Sequence, residues 1–121
     1  MTQYSRAGAE QLITDANKII EDVLSYACQL DCLRREGDEQ GSQAALLHAR
    51  LDQSLAWFTD RCVRLDGLEP LALSFPCRLI VDDEPFDVWL SWQHGEATIG
   101  WFYGLTEAFA LRRRLPPNAL V

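Results

Sequence analysis

Positive charge is scarce in this 121-residue chain. Eleven lysines and arginines stand against 18 aspartates and glutamates, a formal net charge of −7, and the pI is about 4.7. That balance excludes the basic footprint that nucleic acid or an anionic membrane surface requires. The one basic run, Arg112-Arg113-Arg114, is too short to reverse it and suits a solvated helix end. No stretch approaches the ~20 apolar residues of a membrane span. The segment Met1-Thr2-Gln3-Tyr4-Ser5-Arg6 leads into a polar-interrupted helical pattern without a hydrophobic signal core. A cytoplasmic protein with no nucleic-acid or membrane partner is expected.

Catalytic vocabulary is equally thin. The chain has two histidines, His48 and His94, and neither has the neighbours of a nucleophile–base pair. It has no glycine-rich phosphate loop and no second carboxylate placed for acid–base work. Of four cysteines, Cys28 and Cys32 stand one helical turn apart, where side-chain directions suit a disulfide poorly. With His48 they make at most a partial metal site, short of a tetrahedral set. The expectation is reduced thiols packed in a core, no metal and no cofactor.

What is present is ordinary globular composition, with 48% hydrophobic and 24% charged residues. One domain over 1–121 follows, long enough to bury roughly two-thirds of the surface of the unfolded chain. Its most informative stretch is 71–103. There Phe75, Cys77, Leu79 and Val81, then Phe86, Val88, Leu90 and Trp92, then Ala97, Ile99, Trp101 and Tyr103 alternate with period two. That period predicts three strands, each burying one face. Tips at Asp83-Glu84 and His94-Gly95 place all three apolar sets on the same side.

The other side then carries Arg78, Ile80, Trp89 and Phe102, with Trp89 expected between Arg78 and Gly100. Aromatic and aliphatic side chains there need a cover, either the C-terminal segment or a partner or second copy, and the second possibility makes that side the candidate interaction face.

Upstream, 8–66 reads as a helical hairpin. Leu12, Ala16, Ile19, Val23, Tyr26, Leu30 and Leu33 step by four and three. Gly37 suits a left-handed helix end. A second helix from about 43 to 65 carries Leu47, Leu51, Leu55, Phe58, Cys62 and Leu65 on one side. Downstream, 105–115 has helical composition, with Thr106 as N-cap. The fold class is α+β, an antiparallel helical hairpin on a three-stranded antiparallel meander with a short C-terminal helix.

Several residues then form a recognisable set. Tyr4-Ser5, Phe75-Pro76, Trp92-Gln93-His94-Gly95-Glu96, Trp101-Phe102-Tyr103, Phe109 and Arg112 together resemble a bacterial family known as Domain of Unknown Function 2203. The resemblance covers nearly the whole chain and is distinctive over its last 50 residues. Tyr103 stands where that family usually has histidine, and Ala108 where it usually has glycine. The resemblance implies a fold and a compartment and no activity.

The function read from the sequence is a non-catalytic, self-associating protein-interaction module, with a homodimer expected on the outer face of the meander or on the exposed side of the helical hairpin. One alternative is a small enzyme or ligand-binding domain using Glu96, Tyr103 and Arg112 in a cleft beside the second hairpin. The other is an acidic chaperone or immunity-type protein masking a basic partner.

Overall fold

The computed structural model describes residues 3–121. Met1 and Thr2, at the head of the segment read as lacking a signal core, lie outside the described residues. The fold is α+β. Helices α1 (Arg6–Asp15), α2 (Asn17–Arg35) and α3 (Ser42–Thr59) precede strands β1 (Arg64–Leu68), β2 (Leu71–Val81), β3 (Glu84–Gln93), β4 (Trp101–Gly104) and β5 (Arg113–Arg114). Each strand pairs antiparallel with the next, in the order β1-β2-β3-β4-β5. The sheet is therefore a five-stranded meander and not the three-stranded one expected.

The helical reading holds with two corrections. The segment expected as one helix over 8–35 is two, meeting at the fully buried Ala16. Ser5 caps the first by accepting a hydrogen bond from the Gly8 N–H. Gly37, with φ 77°, ends α2. Its N–H donates to the Arg34 carbonyl and that of Asp38 to the Leu33 carbonyl, the paired bonds of a glycine-terminated helix. The loop folds α3 back along α2, and Leu33, Ala44 and Leu47 pack at that end. The second helix stops at Thr59 and not near 65. Cys62 takes a positive φ of 62°, which no helix continues through, and Arg64–Leu68 becomes the edge strand β1.

The first sheet hairpin turns on Asp82 and Asp83, at φ 52° and 65°, one residue earlier than expected. A two-residue turn that matches strand twist needs positive φ at both positions, which aspartate tolerates better than glutamate. Phe75 consequently faces Leu90, and Cys77 faces Val88. This is a slip of two residues from the expected pairing, so every side chain stays on its expected face. Those residues, with Leu73 and Trp92, meet Val23, Leu51 and Phe58 of the helices in the main core.

The second hairpin departs further. Residues 94–100 form no strand, although Ile99 is fully buried. Gln93 presents its N–H toward the β4 side, but the Glu96 carboxylate takes it at 2.7 Å. Ladder pairing therefore resumes only at Trp101. Leu90 pairs with Phe102 and Trp89 with Tyr103, an odd-numbered shift that exchanges faces. Phe102 turns inward against the core, and Tyr103 turns outward.

The expected helix over 105–115 is also absent. Its residues form one 3₁₀ turn, Phe109–Leu111, and the short strand β5. Glu107 holds the chain in a tight bend by accepting from the Gly104 N–H at 2.8 Å and pairing with Arg113 at 2.7 Å. Eleven residues make at best a marginal helix without packing, and these local bonds prevail.

The cysteines correct one more expectation. Cys77 is buried, but Cys28 and Cys32 are exposed. No group of three or more potential metal-ligating His, Cys, Asp or Glu side chains occurs among the described residues. No helix among them is long and apolar enough to cross a membrane.

Candidate functional site

The helices cover one face of the sheet, and the candidate site lies on the other. Register alone sets out its rows. Arg64, Ser74, Ser91, Trp101 and Arg114 stand side by side across all five strands. Two residues along, Pro76, Trp89 and Tyr103 form the next row. Trp89 therefore lies between Pro76 and Tyr103, and the guanidinium above its ring belongs to Arg64, at 5.6 Å from the centroid, and not to Arg78.

Beneath this surface runs a polar network with almost no water contact. The Asp66 carboxylate accepts from the hydroxyls of Ser74 and Tyr103, the latter at 3.0 Å, and pairs with Arg64 at 3.3 Å. Ser74, Ser91 and Tyr103 are fully buried, and the Asp66 side chain is 3% exposed. Burial pushes the Tyr103 hydroxyl up to about 12, the neighbouring Asp66 charge adding to the effect. Tyr103 is therefore a neutral donor at ordinary pH, fixed in place by its partners. Its ring stacks on Trp89 and meets the edge of Phe109, which holds the C-terminal segment against the sheet.

A second set of contacts joins that segment to the turn after β3. Arg112 reaches both Glu96 carboxylate oxygens at 3.2 Å and the Ser91 hydroxyl at 3.4 Å. Its guanidinium lies over the rings of Trp101 and Phe109 at 4.7 and 4.9 Å. Gly95, at φ 103°, takes the backbone where L side chains rarely sit. That turn lets Glu96 cap the Gln93 N–H, while its carbonyl accepts from the Trp92 indole at 3.0 Å.

Of the three residues expected in one cleft, Glu96 and Arg112 meet, while Tyr103 bonds to Asp66 and Ser74 instead. A groove of about 460 Å³ beside Leu30, His48, Leu51 and Glu69 holds none of them. A smaller hollow of about 190 Å³ is lined by Glu96 but not by Tyr103 or Arg112. Of the expected interaction face, Arg78, Ile80 and Trp89 do share the outer side with Asp87 and Pro85. Phe102 does not, for the register reason above.

Sequence reasoning missed Arg64, Asp66 and Ser74. Asp66 precedes a glycine and reads as a helix terminator. The one usable signal was Ser74, a hydroxyl interrupting the apolar run Leu71-Ala72-Leu73-Ser74-Phe75, since a buried hydroxyl demands a partner.

The residues that carried the resemblance fall into two groups. Tyr4 packs edge-on against Phe75 at 5.5 Å and donates to the Arg61 carbonyl at 2.6 Å, while Trp92 and Glu96 belong to the turn after β3, and Phe109 and Arg112 to the C-terminal segment, a strap held against the outer face. No curated protein and no solved structure matches the chain. A family model does, over residues 3–115, and the chain accordingly belongs to the family described as "Uncharacterized conserved protein (DUF2203)".

Proposed function

We propose that this protein is a non-catalytic interaction module that self-associates through the outer face of its sheet. The observation that carries the reading is the makeup of that face. Trp89 and Trp101 lie only partly covered in the middle of the sheet, beneath the guanidiniums of Arg64, Arg112 and Arg114. Tryptophan, tyrosine and arginine are the residues that dominate protein interfaces energetically. Ile80 and Pro85 extend the apolar strip toward the hairpin tip, and a second copy lets one patch cover another.

The enzyme reading draws less from the same geometry. Glu96 is engaged by Arg112 and by a backbone N–H, and Asp66 by two hydroxyls and Arg64. These groups hold one another in place and present no convergent, unpartnered pair to a substrate.

The test is Trp89→Glu, which puts a charge where the proposed interface is driest. The expected product is a folded monomer by light scattering after size exclusion, beside a dimeric wild type. A Trp89→Glu protein that stays dimeric overturns the reading. Ile80→Glu serves as the second variant if Trp89→Glu fails to fold.

A further inference from the structure

We infer that the two copies meet tip to face, each acidic β2–β3 hairpin tip lying on the arginine row of the other. The inference rests on the self-association reading and adds its geometry and its driving charge. The hairpin end is open to solvent: residues 82–87 are all exposed, Phe86 at 47%. Its tip carries Asp82, Asp83 and Glu84. Asp82 accepts only from the neutral Asn118 amide, and Asp83 and Glu84 have no cationic partner among the described residues.

The complementary charge lies at the other end of the same face. Arg114 has no carboxylate partner among the described residues and rests on Trp101 at 4.9 Å. Arg64 leans over Trp89 and is shared with the buried Asp66. Both guanidiniums thus point inward over the middle strands, onto the strip that a partner's hairpin would occupy.

Register supplies the match. The Arg78–Asp87 row, a neutral ion pair at 3.4 Å, lies midway between the two charged regions. Two residues to one side is the Pro76–Trp89 row, and two to the other is the Ile80–Pro85 row. Four residues away stand the Ser74–Ser91 row, flanked by Arg64 and Trp101, and the Asp82–Asp83 turn. At ~3.3 Å per residue the turn is about 26 Å from the arginines, too far to satisfy them within one chain.

A two-fold axis crossing the strands at Arg78–Asp87 reverses one face on the other. It sets the partly exposed Trp89 against the partner's Pro85 and Ile80, apolar on apolar. It also brings each aspartate turn between the other copy's arginines, and the contact is made twice. Such an arrangement predicts association that weakens as salt rises.

Two charge-reversed proteins test it. Arg64→Glu/Arg114→Glu reverses the face, and Asp82→Asn/Asp83→Asn/Glu84→Lys reverses the tip to a net positive charge while keeping residues that tolerate positive φ at both turn positions. Each alone should self-associate about tenfold or more weakly than wild type, because like charges now meet. Mixed together, the two should recover a heterodimer, since every tip then faces an opposite charge. Differentially labelled chains in sedimentation velocity read this out. Circular dichroism checks folding, and Arg114→Glu alone replaces the double face variant if that unfolds. Undiminished dimers from either variant, or weakened variants that fail to recover on mixing, overturn the tip-to-face geometry. A monomeric wild type overturns the self-association reading itself, a distinct result.

Discussion

The Tyr103 hydroxyl lies 3.0 Å from the Asp66 carboxylate and 2.9 Å from the Ser74 hydroxyl, joining three strands beneath the outer sheet face. Neither edge strand is long, and β5 has only two residues. The sheet's outer side therefore depends on this cluster and on the Arg112–Glu96 pair to keep the C-terminal segment in place.

Removing the phenol should be costly and should have a pH signature. Tyr103→Phe leaves buried Asp66 and Ser74 short of a partner, a loss of about 1–3 kcal/mol in denaturant unfolding. Burial raises the folded pKa to about 12, above the unfolded value. The stabilisation is thus complete below about pH 10 and is lost as pH rises through 12. Wild type should show that alkaline decline, and Tyr103→Phe should lack this component.

The core prediction concerns Leu90, fully buried with Phe75 on one side and Phe102 on the other. Leu90→Ala should cost about 2–5 kcal/mol through lost transfer energy and cavity formation. Leu46→Ala, at a half-exposed helix position, should shift stability by about 0.5 kcal/mol at most. Thermal melting of the pair checks the placement of both residues.

Glu96 serves two partners, and its substitutions should separate them. Glu96→Ala loses the Arg112 bonds and the Gln93 cap, about 1.5–3 kcal/mol for bonds to a charged group. Glu96→Gln keeps an acceptor for Gln93 and should lose roughly half as much. Equal losses would mean that the charge contributes nothing to the strap.

The thiols should divide by exposure. Cys28 and Cys32 lie on the surface of α2 and should react with a thiol reagent in the native protein. Burial pushes the Cys77 thiol up to about 11, so it should stay unreactive until the chain unfolds. A native Cys77 that reacts as fast as Cys28 would contradict the packing of β2.

The legible parts of this fold were those with a long, regular period. Leu12 to Leu33 announced helix, and Phe75 to Trp92 announced two strands with the correct inward face, because slippage there would expose a whole apolar set. The illegible parts turned on single local bonds. Glu96 capping Gln93 delayed β4 by several residues and reversed Phe102 and Tyr103, and periodicity carries no trace of a side chain bonding to the backbone. Leu65 fits a helix stripe as well as a strand, so β1 stayed hidden until Cys62 broke the helix. Glu96 and Arg112 were paired in advance because both stood out chemically. Asp66 and Ser74 were not, since their meeting depends on a strand pairing across the β1–β2 turn.

We propose that copies meet through the outer face of the sheet, and not through the helical hairpin. Hydroxyl-radical footprinting of wild type at dilute and concentrated protein tests it most directly, residue by residue. Protection of Trp89, Ile80 and Phe86 should rise with concentration, while Trp57 on α3 stays unchanged. Protection that rises at Trp57 and leaves Trp89 unaltered would contradict it.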